Sequence, residues 1–217
     1  MNNILEVDSV ILNYGDKRVL SNIYLKCITG EVVGILGRNG SGKTTLLRII
    51  FGELETTNKS VRINGQVISE LYKSDGLIKF LPQFNFLLPT ISVKQLFKSF
   101  KIDFNEFVTL FPGFEKYYKG RVTEMSGGER RIVEIYSILA GKSLFCLLDE
   151  PFTHIMPIHI ETVKQLIERE KLKKGIILID HQYENVINIC TRIYIIENGK
   201  TNPVLSDSDF QRFGYLS

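Results

Sequence analysis

Residues 37–44, with the sequence GRNGSGKT, constrain the fold of this chain more than any other segment. They follow an apolar run, residues 32–36, and precede the helix-like run 45–50. A strand, the turn G-x-x-x-x-G-K-[ST] and a helix make up a phosphate-binding loop. Its glycines allow positive φ, and its N–H groups converge at the positive end of the helix dipole. A glycine-rich turn that merely fits the pattern is disfavoured, because strand, helix, Gly42, Lys43 and Thr44 are all in place.

A second apolar run, residues 144–148, ends in the carboxylates Asp149 and Glu150. Such a run predicts a strand buried on both faces of a parallel sheet, whose carboxyl end borders the ligand crevice. In the phosphate-binding loop of residues 37–44, Lys43 would reach the β- and γ-phosphates, and Thr44 would bind Mg²⁺. Asp149 is placed to hold Mg²⁺ and Glu150 to orient or deprotonate a water. Two solvated acids at a strand end are the alternative, which the phosphate loop makes less favoured.

A third motif, residues 125–129 (MSGGE), precedes a helix-like run from Arg130 to Ala140. Ser126 and Glu129 have the spacing of a capping box, so one interpretation is purely structural. The other is a helix N-terminus that binds phosphate, with Gly127 and Gly128 allowing close backbone approach. The two interpretations are compatible.

In this order, the phosphate loop, Gln83, Ser126-Gly127-Gly128, Asp149-Glu150 and His181 resemble the ATP-binding cassette ATPase family. The resemblance covers essentially the whole chain. It implies an α/β fold: a P-loop NTPase core with an N-terminal antiparallel β region and an inserted helical subdomain. It implies one domain, residues 1–217, with its core at about 1–83 and 142–217 and the insertion at about 84–141.

The resemblance also implies site roles. Tyr14 would stack on adenine, although a Tyr anchored at a strand end is an alternative. Gln83 would link Mg²⁺ and the attacking water to a mobile loop, and His181 would contact the γ-phosphate. The predicted catalytic residues are Glu150, His181, Gln83 and Lys43, and the predicted metal ligands are Thr44, Gln83 and Asp149. The predicted nucleotide contacts are Tyr14, Gly37, Asn39, Gly40, Ser41, Gly42, Lys43, Thr44, Thr45, Ser126, Gly127 and Gly128, the last three acting on the nucleotide of a second cassette paired head to tail.

The loop after Pro151 departs from the family pattern, because Met156 occupies the position of the usual Asp. That loop crosses the interface between paired cassettes, so the substitution bears on communication between the two sites. Met156 alone supports a further alternative, a degenerate cassette that binds ATP but regulates, and the intact Glu150 and His181 argue against it.

Composition narrows the class of protein. The 217 residues are 44% apolar, which supports a sizeable core, and a net charge of +3 is too small to indicate a nucleic-acid partner. Three cysteines favour a reducing compartment. No apolar run approaches the length of a membrane span, and no signal peptide is recognised, so we expect a cytoplasmic chain peripheral to the membrane.

Aromatic residues dominate the predicted insertion. Five phenylalanines recur at helical spacing from residue 97 to 111, and we interpret them as a small core. Phe84, Phe86, Leu87 and Leu88 follow Gln83, in the loop where this family receives a short helix from a transmembrane permease; they predict a docking surface.

The sequence therefore predicts an ATP- and Mg²⁺-dependent ATPase that forms a homodimer or heterodimer of cassettes and drives a permease made of separate chains. The alternative is a soluble single-cassette switch in assembly, repair or translation. The sequence names neither the cargo nor its direction.

Overall fold

A computed structural model describes residues 2–68 and 70–215 of the chain. The predicted domain limits, residues 1 and 217, lie outside this part. The strands are β1 (Ile4–Tyr14), β2 (Lys17–Ile28), β3 (Val32–Gly37), β4 (Asn58–Ile63), β5 (Gln66–Val67), β6 (Ile78–Leu81), β7 (Phe145–Asp149), β8 (Gly175–Ile179), β9 (Arg192–Glu197) and β10 (Lys200–Pro203). The helices are α1 (Lys43–Phe51), α2 (Val93–Phe100), α3 (Phe104–Leu110), α4 (Gly127–Ala140), α5 (Pro157–Lys171), α6 (Tyr183–Ile189) and α7 (Asp207–Arg212).

The strands form two sheets. An antiparallel sheet has the order β2-β1-β4-β5, and a second sheet has the order β10-β9-β3-β8-β7-β6. In the second sheet β9, β3, β8, β7 and β6 are parallel, and β10 joins β9 as an antiparallel edge strand. This arrangement confirms the predicted fold class.

The central strands explain the apolar runs of the sequence. Every residue of β7 and of β8 is buried. Both faces of the sheet are covered, so neither strand shows the alternation of polar and apolar residues that a half-exposed strand would have. The carboxyl ends of β3, β7 and β8 then lie at one edge, where Gly37, Asp149 and Ile179 lead into the loops of the site.

Helices α2, α3 and α4 follow β6 and pack around the predicted phenylalanine cluster. Phe97, Phe107 and Phe111 are buried, and the rings of Phe97 and Phe107 are 5.2 Å apart. Tyr136 of α4 lies 4.9 Å from Phe107, which attaches α4 to the cluster. The interpretation of these phenylalanines as core is confirmed, while the division of the chain into a core and an inserted subdomain stays a prediction.

Within the described residues, no helix combines the length and the apolar character that crossing a bilayer requires.

Candidate functional site

The phosphate loop leads from β3 into α1 through glycines that other residues could not replace. Gly42 has φ 97° and caps α1, and no side chain bonds to the first N–H groups of this helix. A Cβ on Gly42 would come within 2.8 Å of Leu20 Cδ2, and one on Gly37 would come within 2.5 Å of Ser41 Oγ. The loop is thus folded tightly, and the N-terminus of α1 keeps donors available for an anion.

The Lys43 ammonium group lies inside this loop. Its Nζ donates to the carbonyl oxygens of Gly37, at 2.7 Å, and Arg38, at 3.2 Å. Burial lowers the pKa of Lys43, and the nearby Glu150 and Asp149 carboxylates oppose this shift. The Lys43 ammonium group is therefore held within the loop. Both of its observed partners are neutral carbonyl groups that an anion can replace.

Asp149, at the end of β7, faces Thr44 at the start of α1. The Thr44 hydroxyl donates to Asp149 Oδ1 at 3.3 Å. Burial raises the pKa of Asp149 to about 6; the Glu150 charge adds to the shift, and the Thr44 hydroxyl opposes it. Asp149 Oδ2 is buried and has no hydrogen-bond partner among the described residues.

These oxygens fit a magnesium ion. Mg²⁺ takes oxygen ligands and is commonly bound by one or two protein oxygens together with substrate phosphates and waters. A buried carboxylate oxygen without a partner is costly unless a cation or donor satisfies it. No group of three or more His, Cys, Asp or Glu side chains in residues 2–68 and 70–215 could hold a metal. Thr44 and Asp149 alone offer few protein ligands, which fits a Mg²⁺ site whose remaining ligands are phosphate oxygens and waters.

Glu150 and His181 meet beyond this pair. Glu150 Oε2 lies 3.6 Å from His181 Nδ1, and the Thr153 hydroxyl lies 3.3 Å from Glu150 Oε2. Glu150 has φ 50°, a left-handed conformation, and its carbonyl accepts a bond from Arg131 Nη2 at 3.3 Å. A non-glycine residue held in this conformation is often found at a functional site.

One cleft of about 510 Å³ unites most of the predicted nucleotide-site residues. Tyr14, at its mouth, has 57% of its surface exposed and is free to contact a ligand. The residues that line the cleft are Tyr14, Lys17, Val19, Asn39, Gly40, Ser41, Gly42, Lys43, Thr44, Thr45, Gln83 and Glu150. Ser126, Gly127 and Gly128 are absent from this set of described residues, so the structure does not bring the third motif to the cleft of its own chain.

The third motif forms the N-terminus of α4. Ser126 Oγ accepts from Glu129 N at 3.2 Å, and Glu129 Oε2 accepts from Ser126 N at 2.9 Å. The capping box is therefore present as the sequence predicted. A Cβ on Gly128 would lie 2.8 Å from the carbonyl oxygen of His154. Gly128 thus allows the loop after Glu150 to rest on the start of α4.

Two charged residues of α4 were missed by the sequence analysis. Arg131 is buried and donates to Pro82 O at 2.7 Å and to Asp149 O at 2.8 Å. Glu134 is also buried, and its Oε1 accepts from Phe86 N at 3.0 Å and from Leu87 N at 3.2 Å. Together they fix the segment around Gln83 and the end of β7 to one helix. Glu134, which interrupts the largely apolar run 132–139, was the available signal, whereas Arg131 follows two other charged residues and gave none.

The predicted docking residues divide into two groups. Phe84 and Leu88 are 74% and 68% exposed, and Phe86 is half-buried. Leu87 is only 5% exposed, so its inclusion in a docking surface was wrong. Its backbone accepts from Arg130 and donates to Glu134, which turns its side chain into the core. A groove of about 420 Å³ is lined by Phe84 and Phe86 together with Phe51, Tyr72, Phe80 and Phe100.

The family model described as ABC transporter matches residues 20–153, which is more than half of the chain. The chain belongs to the ABC transporter family. It is accordingly an ATP-binding, ATP-hydrolysing protein, and the predicted family resemblance is confirmed.

Similar proteins with curated names cover almost all of the chain. The branched-chain amino acid transport ATP-binding protein BraG of Pseudomonas aeruginosa is 26% identical, over 94% of this chain and 98% of its own length. The lipopolysaccharide export system ATP-binding protein LptB of Escherichia coli K12 is 30% identical, over 86% of this chain and 83% of its own.

Solved structures show the same fold. The structure of an ATP-binding subunit of an ABC transporter superposes with a TM-score of 0.81, at 22% identity, over 98% of this chain and 94% of the other. The similarity supports the two-sheet architecture described above.

Proposed function

We propose that this chain is the ATPase subunit of a membrane transporter, which binds MgATP in the cleft, pairs with a second cassette and drives a separate permease. The observation that carries the proposal is the meeting of Lys43, Thr44, Asp149 and Glu150 at the carboxyl edge of the parallel sheet, where ligands bind in open α/β folds.

Residues 37–45 hold the phosphates of ATP in this proposal. The N–H groups at the start of α1 and the Lys43 ammonium group bind the phosphate oxygens, and Tyr14 stacks on adenine. Thr44, Asp149 and Gln83 hold Mg²⁺, either directly or through water. The bound ion neutralises charge on the phosphates. The free Asp149 Oδ2 supports this assignment, because this buried oxygen, unlike Oδ1, has no hydrogen-bond partner among the described residues.

Hydrolysis uses the residues beyond the metal pair. Glu150 accepts a proton from the attacking water or orients it, and Gln83 helps to place that water from across the cleft. His181 contacts the γ-phosphate. Since phosphoryl transfer demands little covalent chemistry from the protein, these residues act by positioning and by electrostatic stabilisation.

A second cassette completes the site. The exposed N-terminus of α4, with Ser126 and Gly127, lies outside the cleft of its own chain and is available to the nucleotide of a partner. Head-to-tail pairing brings each such N-terminus to the γ-phosphate of the other subunit. The partner is either a copy of this chain or a different cassette.

The permease docks on the apolar groove next to Gln83. Phe84 and Phe86 line it, and Leu88 is exposed nearby. A short amphipathic helix is the kind of ligand that fills such a groove. The chain would then sit at the cytoplasmic face of the membrane. The names of the relatives support a transporter over the soluble switch, but one is named for branched-chain amino acids and another for lipopolysaccharide, so we assign no cargo.

Glu150→Gln tests the proposed chemistry. We expect retained MgATP binding, an accumulated ATP-bound pair, and turnover lowered by about 10²–10⁴-fold, the usual contribution of a positioned base. Glu197→Gln, an exposed carboxylate at the end of β9, is the matched control and should hydrolyse ATP normally. Parental turnover in Glu150→Gln would remove Glu150 from its role.

Phe84→Ser and Leu87→Ser test the docking surface as a pair. Phe84→Ser should detach the chain from solubilised membrane complexes without changing its melting temperature, because this side chain is exposed. Leu87→Ser should lower the melting temperature, since burying a Leu contributes about 1.5–3 kcal/mol. A Phe84→Ser chain that still co-purifies with membrane proteins at the parental level would refute the docking site.

A further inference from the structure

The Thr153 hydroxyl lies between the side chains of Glu150 and His181, which in the proposed mechanism act on the attacking water and on the γ-phosphate. Thr153 Oγ1 is 3.3 Å from Glu150 Oε2 and 3.4 Å from His181 Nδ1. The Glu150 and His181 atoms are themselves 3.6 Å apart, so the three groups form a closed triangle. These distances are long for hydroxyl bonds, as catalytic hydrogen bonds often are before a ligand binds.

We propose that Thr153 is a positioning residue for ATP hydrolysis, whose hydroxyl holds the Glu150 carboxylate and the His181 imidazole in register. The inference rests on the proposed function, because it assumes that Glu150 and His181 act on water and phosphate.

A hydroxyl suits this place because it donates one hydrogen bond and accepts others. The ionised carboxylate only accepts, so the Thr153 O–H donates to Glu150 Oε2. A lone pair of the same oxygen then accepts the proton on His181 Nδ1. This arrangement fixes the imidazole tautomer with its proton on Nδ1, and it leaves Nε2 to interact with other groups.

Three hydrogen bonds fix the turn that carries Thr153. Thr153 N donates to Glu150 O at 3.3 Å, which closes a turn. Arg131 donates to the same carbonyl oxygen. Phe152 N donates to Asp180 Oδ2 at 3.1 Å, which ties this turn to the residue before His181. Because the turn is fixed, the Thr153 side chain has a defined place to bond from.

The triangle is also adjacent to the start of α4. His154, the next residue, has φ 65°, and its carbonyl oxygen lies against Gly128. Thr153 is thus one residue away from the contact between this turn and α4.

Thr153→Val removes the hydroxyl and keeps the side-chain shape. In the purified chain we expect kcat for MgATP to fall roughly tenfold to a hundredfold, the range for losing a hydrogen bond to a charged group, with KM unchanged. Thr153→Ser keeps the hydroxyl and should retain most of kcat. Thr109→Val, on the exposed face of α3, is the matched control and should leave both parameters unchanged.

A double-mutant cycle separates positioning from general destabilisation. Because part of the effect of Thr153 passes through Glu150, Thr153→Val should slow a Glu150→Gln chain by a smaller factor than it slows the parental chain. Parental kcat in Thr153→Val, or an equal loss in Thr153→Ser, would overturn the inference. If Glu150→Gln itself turned over normally, the proposed function would fail first; if only Thr153→Val did so, the inference alone would fail.

Discussion

The helices α1 and α4 both begin at glycine-rich turns, but they use their first N–H groups differently. Gly42 caps α1 without any side-chain bond, so the donors of that turn stay available. At α4 the Ser126 and Glu129 side chains bond to each other's backbone and satisfy two of the N–H groups of that turn. The first arrangement lowers the stability of the free helix end, and the second raises it.

This difference separates a site that is complete within one chain from one that needs a partner. The α1 end lies in the cleft with Thr44 and Glu150 nearby, whereas the α4 end is exposed and outside it. In our account α1 binds nucleotide in the isolated chain, and α4 acts only on the nucleotide of a second cassette. Variants at the two ends should therefore have separable effects.

Among variants at the two helix ends, Lys43→Ala is expected to have the largest effect. Losing a bond between the ammonium group and phosphate costs about 1.5–3 kcal/mol, which weakens the Kd for ATP roughly 10- to 150-fold. Isothermal titration of the isolated chain measures this.

Gly127→Asp is the counterpart at α4. A Cβ there meets no other atom within 4 Å among the described residues, and an acidic residue suits a helix N-terminus. ATP affinity of the isolated chain should be unchanged, while ATP-dependent pairing is lost. Weaker ATP binding by the isolated Gly127→Asp chain would show that the α1 and α4 ends do not act separately.

Asp149 gives the α1 site its own dependence on pH. Because burial raises its folded pKa to about 6, the folded chain binds more protons than the unfolded chain between roughly pH 4 and 6. The free energy of unfolding should rise as pH falls through this window, relative to Asp149→Asn, by on the order of 2 kcal/mol.

Denaturant titrations at pH 4.5 and 7 measure this difference between the two chains. MgATP favours the ionised carboxylate, so it should stabilise the wild-type chain more at pH 7 than at pH 4.5. Identical pH slopes for wild type and Asp149→Asn would contradict a buried Asp149 carboxylate with a raised pKa.

Ser126→Ala is expected to have the smallest effect. Losing an N-cap costs about 0.5–2 kcal/mol, or a few degrees in melting temperature for a chain of this size. Ser92→Ala removes the same capping box from α2 and should cost about as much. Only Ser126→Ala should also weaken ATP-dependent pairing; equal pairing in both variants would reduce Ser126 to a cap.

Much of this architecture could be predicted because its signals are local. The phosphate loop, the apolar strand before Asp149 and the Ser126 capping box each lie within a few consecutive residues, and the structure has all three. The phenylalanine spacing likewise indicated a core, since one helical face must be buried.

What could not be predicted depends on contacts between distant segments. Arg131 and Glu134 bond to Pro82 and Leu87, more than forty residues earlier in the chain. The burial of Leu87 follows from those bonds, not from its own loop. Thr153 gains its place only because β7 and β8 lie side by side and bring Glu150 next to His181.

Subunit complementation tests the central claim most directly. In a head-to-tail pair of a Lys43→Ala chain with a Gly127→Asp chain, one site combines an intact phosphate loop with an intact α4 end, and the other site has both defects. We predict that neither chain alone hydrolyses ATP at the parental rate and that the mixture regains activity. A Lys43→Ala chain mixed with the Lys43→Ala, Gly127→Asp double variant should stay inactive. A mixture as inactive as its components, or a fully active Gly127→Asp chain alone, would contradict the account.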